Sequence, residues 1–156
     1  MLTTLDLSYN KIKISGNIPN NLGDCGSLSR LSLKENLFQR MIPSTLSSLK
    51  GMVELDISHN NLPGQIPNYL ELFNLEYLNL SHNDFEGEVP TLGVFANESA
   101  FSIFGNSRLC GGLVELGLPK CNTTNKHKKS FPLFVVVILI IFTLSTIIYM
   151  YSICLV

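Results

Sequence analysis

The chain is 156 residues long, 46% hydrophobic and 15% charged, with a formal net charge of −1. Basic residues are scattered apart from Lys126, Lys128 and Lys129, which leaves no electrostatic footprint for nucleic acid and excludes it as a partner. The apolar residues are spread so unevenly that length alone does not make the chain one soluble domain.

From the first residues onward a pattern L-x-x-L-x-L-x-x-N recurs over positions 1–90. Its copies are Leu2, Leu5, Leu7, Asn10; Leu28, Leu31, Leu33, Asn36; Met52, Leu55, Ile57, Asn60; and Leu75, Leu78, Leu80, Asn83. Starts lie 26, 24 and 23 residues apart. Each copy continues with an apolar residue two places after the Asn (Ile12, Phe38, Leu62, Phe85). An Ile-Pro or Val-Pro pair then follows: Ile18-Pro19, Ile42-Pro43, Ile66-Pro67, Val89-Pro90. About four repeats of this length predict an α/β solenoid. In each coil a short strand turns alternate leucines inward, and neighbouring coils share the core that one coil cannot bury alone. The amides of Asn10, Asn36, Asn60 and Asn83 are expected to form a ladder pairing the backbone of adjacent turns.

These residues resemble the plant-type leucine-rich repeats, whose signature after the strand is Asn-x-Leu-x-Gly-x-Ile-Pro; Asn60 to Pro67, reading NNLPGQIP, matches it in full. The resemblance implies parallel strands on a concave face. Two departures stand out. Lys13-Ile14 reads as a two-residue insertion in the first copy, and Arg40 replaces the usual Gly in the second.

After Pro90 the periodicity is read as ending, with positions 91–124 forming a cap that shields the last coil from water. GVFANES (Gly93 to Ser99), FGNSRLCGG (Phe104 to Gly112) and LPKC (Leu118 to Cys121) resemble the C-terminal cap of plant leucine-rich-repeat receptor kinases. They are most similar to the immune-receptor subfamily that senses flagellin and elongation factor Tu. Cys110 and Cys121, the cap's two cysteines, would close a loop of 12 residues in an oxidising compartment, worth on the order of 3 kcal/mol. A zinc site is the poorer alternative, since two cysteines without a nearby His supply half of one. Cys25, on the outer arc, and Cys154 are read as free, buried thiols. Sequons at Asn79, Asn97 and Asn122 are candidate glycosylation sites; the first follows from the repeat pattern itself.

A basic linker, 125–130, precedes 26 residues from Phe131 to Val156 without Asp, Glu, Lys, Arg or His, long enough for a single membrane-spanning helix. Applied alone, the lysines on its N-terminal side would leave the repeats in the cytosol, whereas the cysteines and sequons point outside the cell. The resemblance resolves the conflict. Similar receptors carry a signal peptide and more repeats upstream, and a basic stop-transfer stretch and a kinase downstream. The expectation is therefore a single-pass plasma-membrane protein with extracellular repeats, truncated before its kinase.

No glycine-rich phosphate loop, Val-Ala-Ile-Lys, His-Arg-Asp or Asp-Phe-Gly occurs, so the 156 residues are read as non-enzymatic, needing no cofactor. His59 and His82 hold the same place in successive repeats, about 5 Å apart at strand spacing. They are read as solvated turn residues, with a metal pair as the alternative. Strand alternation turns outward Thr4, Asp6, Ser8; Arg30, Ser32, Lys34; Glu54, Asp56, Ser58; and Tyr77, Asn79, Ser81. Of these, Asp6, Arg30, Lys34, Glu54, Asp56, Tyr77 and Asn79 are the candidate contacts for a protein or peptide ligand and a co-receptor kinase. A receptor-like protein without a kinase and a secreted wall-enzyme inhibitor are the other readings.

Overall fold

Leu5, Leu31, Leu55 and Leu78 each centre a three-residue strand: β1 (Thr4–Asp6), β3 (Arg30–Ser32), β5 (Glu54–Asp56) and β7 (Tyr77–Asn79). The computed structural model describes residues 1–10 and 13–122. The linker 125–130, the apolar segment 131–156, Ile12 and Cys154 lie outside the described residues. Among those described, no helix is long and apolar enough to cross a membrane.

The strands pair in parallel with Leu5, Leu31, Leu55 and Leu78 in one register, and Leu31, Leu55 and Leu78 are 0–2% exposed. A fifth strand, β9 (Phe101–Ser102), continues the sheet, with Phe101 beside Leu78. The repeat pattern therefore runs past Pro90 instead of stopping there. Phe101, Ile103 and Asn106 hold the strand and ladder places, and Asn106 lies 23 residues after Asn83, the spacing of the preceding coil. The signal was masked because Phe and Ile stand where leucine is expected.

On the far side of the ladder lie short strands β2 (Ser15–Gly16), β4 (Leu37–Phe38) and β6 (Pro63–Gly64), with the longer β8 (Asp84–Val89) and β10 (Arg108–Gly111). β2 pairs with β4, and β6, β8 and β10 form a second parallel set. Each Ile-Pro leads into one five-residue 3-10 turn: Asn20–Asp24, Ser44–Ser48 and Asn68–Leu72. No α-helix occurs among the described residues, so the α/β expectation is corrected to strands and 3-10 turns. The reason is geometric. A coil of about two dozen residues has few left for its return path, and a 3-10 turn covers about 2.0 Å per residue against about 1.5 Å for an α-helix.

The asparagine ladder is the polar half of this core. Asn60 donates through Nδ2 to the carbonyls of Leu33, Ile57 and Ser58 at 3.0–3.1 Å and accepts from the Phe38 amide at 3.0 Å. Asn36, Asn83 and Asn106 repeat the scheme, each reaching back one coil to Leu7, Ile57 and Leu80 respectively. Asn10 is exposed, and its amide bonds the Leu7 carbonyl within its own turn. In the first coil the amide accepted by Asn36 belongs to Ile14, which packs on the core. The extra two residues therefore lie before Ile14, and Ile14 fills the apolar place that the sequence assigns to Ile12.

Arg40 occupies the place held by Gly16, Gly64 and Gly87, all at φ between +85° and +98°, and itself adopts φ +65°. A side chain is strained there by roughly 1–2 kcal/mol. Arg40→Gly is expected to stabilise the repeats by about 1 kcal/mol, read as a raised urea midpoint at unchanged m-value. Asn60→Leu leaves the Phe38 amide and Leu33 carbonyl buried and unpaired, and is expected to cost about 3 kcal/mol or more. Asn10→Leu, at an exposed rung, should cost under about 1 kcal/mol in the same measurement.

Candidate functional site

Because the leucines point inward, alternate residues of β1, β3, β5 and β7 stand on the outer face of the sheet in three rows across the coils. The structure gathers Asp6, Arg30, Glu54, Asp56 and Tyr77 around one shallow depression, together with Thr4 and Ser32. Arg30 Nε lies 3.0 Å from Glu54 Oε1, both half exposed. In water such a pair contributes about 0–1 kcal/mol to the fold, which leaves both groups able to exchange partners.

The middle row is organised by a recurring turn. Asp6 Oδ1 accepts from the Ser8 amide and hydroxyl, Asp56 Oδ1 from those of Ser58, and Asn79 Oδ1 from those of Ser81. At Asp6 the Ser8 hydroxyl and amide favour the charged carboxylate and hold its pKa below the ordinary range. Two residues of the outer rows are withdrawn from the surface: Ser58 and Ser81, outward by alternation, are 0% and 6% exposed, with their hydroxyls folded back onto the Asp56 carboxylate and the Asn79 amide oxygen.

Lys34 stands apart from the depression, its ammonium 4.8 Å from the centre of the Tyr9 ring. The neighbouring Tyr9 hydroxyl raises the Lys34 pKa. Asn79 is half buried, its amide 3.2 Å from the Tyr77 hydroxyl and 3.5 Å from Asp56 Oδ2. Its sequon thus lies inside the sheet face. Asn97 and Asn122 are exposed, with Asn97 Oδ1 2.8 Å from the Ser99 hydroxyl.

One column escaped the alternation rule. The residue before each ladder asparagine adopts a left-handed backbone: Tyr9, Glu35, His59, His82 and Gly105, at φ of +51° to +79°. The His59 and His82 rings stack at 4.2 Å between centroids, and Phe104 meets His82 edge-on at 5.4 Å. The turn before the Asn was visible in the repeat, but its φ was not.

At the C-terminal end, Cys110 on β10 is bonded to Cys121 with Cα atoms 5.0 Å apart. Arg108 reaches across to Asp84 and Glu86 on β8 at 2.9 and 3.0 Å, holding the cap strand to the last full coil. Cys25 is free and half buried, where a buried thiol was expected. Tyr69, pushed up to about 12 by burial, donates its hydroxyl to the Pro43 carbonyl and is a packing residue.

Residues 1–25, 51–73 and 74–93 match the Leucine Rich Repeat family. The LRR receptor-like serine/threonine-protein kinase EFR of Arabidopsis thaliana is 44% identical over 112 residues, covering 71% of this chain and 11% of that protein. A polygalacturonase inhibitor of Pyrus communis is 39% identical over 122 residues, 76% of this chain and 34% of the inhibitor. Among solved structures, the BIR3–SERK2 complex from Arabidopsis thaliana aligns with a TM-score of 0.64 at 33% identity, over 78% of this chain and 61% of that one. The Arabidopsis receptor kinase HAESA, in complex with the peptide hormone IDA and the co-receptor SERK1, aligns with a TM-score of 0.58 at 31% identity, over 72% of this chain and 22% of that one. The chain is thus built of leucine-rich repeats, and its relatives include plant LRR receptor-like serine/threonine kinases, of whose length it spans about a tenth.

Arg30→Ala is expected to change unfolding free energy by less than about 1 kcal/mol, so a binding defect in that variant reports lost contact. Cys110→Ser is expected to lower stability by about 3 kcal/mol, measured against the oxidised parent in the same urea titration.

Proposed function

We propose that this chain is the membrane-proximal end of the extracellular part of a plant cell-surface receptor, acting as a non-enzymatic binding module. The sheet face would contact a protein or peptide ligand, and the last coils and cap a co-receptor kinase. The observation that carries this reading is the depression around Asp6, Arg30, Glu54, Asp56 and Tyr77. It offers charged and aromatic side chains that the fold does not consume, on an array whose backbone is held rigid by the ladder. The likeness to HAESA, whose solved complex contains a peptide hormone and a co-receptor, supports the choice of partners.

Placement at the plasma membrane, with the repeats outside, rests on the apolar stretch 131–156 and on the cap's cysteines and sequons. A role in plant defence is what the resemblance of the cap motifs GVFANES, FGNSRLCGG and LPKC to the immune-receptor subfamily implies. Similarity to the polygalacturonase inhibitor over 76% of the chain favours a second reading, a wall-enzyme inhibitor released from the cell. The two differ in where the product resides. A receptor segment stays with membranes through alkaline carbonate washing, whereas an inhibitor is recovered from the wall fluid.

Expressed in plant cells behind a signal peptide, the chain is expected to lose two increments of mobility on N-glycosidase treatment. Asn97→Gln and Asn122→Gln should each abolish one increment, and Asn79→Gln none. Displayed on protoplasts and probed with soluble co-receptor ectodomain plus peptide, Arg30→Glu with Tyr77→Ala should bind at least tenfold less. Leu72→Ala, at an exposed site on the 3-10 side, should bind as the parent does. Equal loss in both variants, or none in either, rejects the sheet face as the contact surface.

A further inference from the structure

We infer that His59 and His82 form a binding site for a divalent transition-metal ion of the imidazole-preferring class, with Cu2+ and Zn2+ as its probes. The stacking of coils puts both residues at the same place in successive turns, each immediately before a ladder asparagine and each in a left-handed backbone at φ +54° and +51°. Both are exposed, and their rings are nearly parallel, with centroids 4.2 Å apart and an interplanar angle of 22°.

Neither imidazole makes a side-chain hydrogen bond among the described residues, so both rings keep a lone pair for a ligand. The neighbouring coil makes room for this arrangement. The next place in the column is Gly105, where a Cβ would stand 2.6 Å from His82 Nδ1, so a side chain there would displace the ring. Phe104 bounds the far side of His82.

Two nitrogens about 2.0–2.1 Å from a tetrahedral ion lie roughly 3.3 Å apart. Imidazole lone pairs lie in the ring plane, so the rings, now stacked at 4.2 Å, converge on one ion by swinging out of parallel, a rotation of χ1 and χ2 within the freedom of exposed side chains. Imidazole suits copper and zinc better than the hard cations, and copper binds tightest along the divalent series. Among the described residues no three ligating groups already converge, so the protein supplies a two-ligand chelate. Glu35 occupies the same place one coil before His59 and is the nearest carboxylate in the column for a third position. The remaining positions are open to water or to a side chain from a docked partner. This inference rests on the column geometry alone and does not depend on the receptor reading.

The test titrates the full chain with CuCl2, followed by the copper EPR spectrum, and with ZnCl2, followed by calorimetry. One equivalent should bind with nitrogen hyperfine splitting. His59→Asn and His82→Asn, which keep a residue tolerant of the left-handed backbone, should each weaken binding at least tenfold, with the double variant no worse than either single one. His127→Ala, removing the third histidine of the chain, should leave the affinity unchanged. Binding that persists in the two Asn variants, or that disappears with His127→Ala, overturns the inference. Circular dichroism and melting of each variant without metal separate loss of the site from loss of the fold. If the Asn variants unfold, His59→Gln and His82→Gln take their place under the same criterion.

Discussion

The inward-turned asparagine amide is the constraint on which the rest of this structure depends. A coil of alternating strand and turn buries backbone groups at its sharpest bend, where no sheet partner is available. An unpaired buried amide or carbonyl costs about 1–3 kcal/mol. One Asn side chain satisfies four such groups at once, reaching its own turn and the coil before it. That reach locks the stacking register, and the register in turn brings Leu31, Leu55 and Leu78 into a single line. The hydrophobic and polar halves of the core are thus inseparable.

A functional surface follows from the same constraint. Once leucines and asparagines occupy the inward places, the residues between them are free of the fold and repeat at strand spacing, so neighbouring coils present them side by side. The local turns refine this array. An Asp or Asn two places before a Ser captures its hydroxyl, and between stacked coils at Ser58 and Ser81 the serine is buried as well. The exposed chemistry of the face is therefore carried by Asp6, Asp56 and their row neighbours, while Ser58 and Ser81 serve the backbone.

The C-terminal end shows how such a stack is finished. A fifth coil keeps the ladder through Asn106 but replaces leucine with Phe101 and Ile103. The β10 strand is then tied back by Arg108 and by the Cys110–Cys121 bond. Aromatic residues suit this position because a terminal coil has a neighbour on one side and needs a larger side chain to cover the apolar surface there. Phe95 and Phe101 meet edge-on at 5.2 Å in that layer.

Local periodicity determined the repeats, their ladder asparagines, the inward leucines and the candidate outward row, because each depends on residue type at fixed spacing along the chain. Phe101–Asn106 was illegible as a coil because its apolar residues departed from the leucine consensus, although its spacing did not. Tertiary structure decided the rest. It put Ile14 in the apolar place, made the return path a 3-10 turn, buried Ser58 and Ser81, and turned the His59 and His82 rings, neighbours by repeat spacing, into a parallel stack. Each of these turns on a φ angle, a side-chain bond or a neighbour some two dozen residues away. A one-dimensional pattern records which residues recur, whereas contacts across coils depend on how far each turn rotates before the next begins.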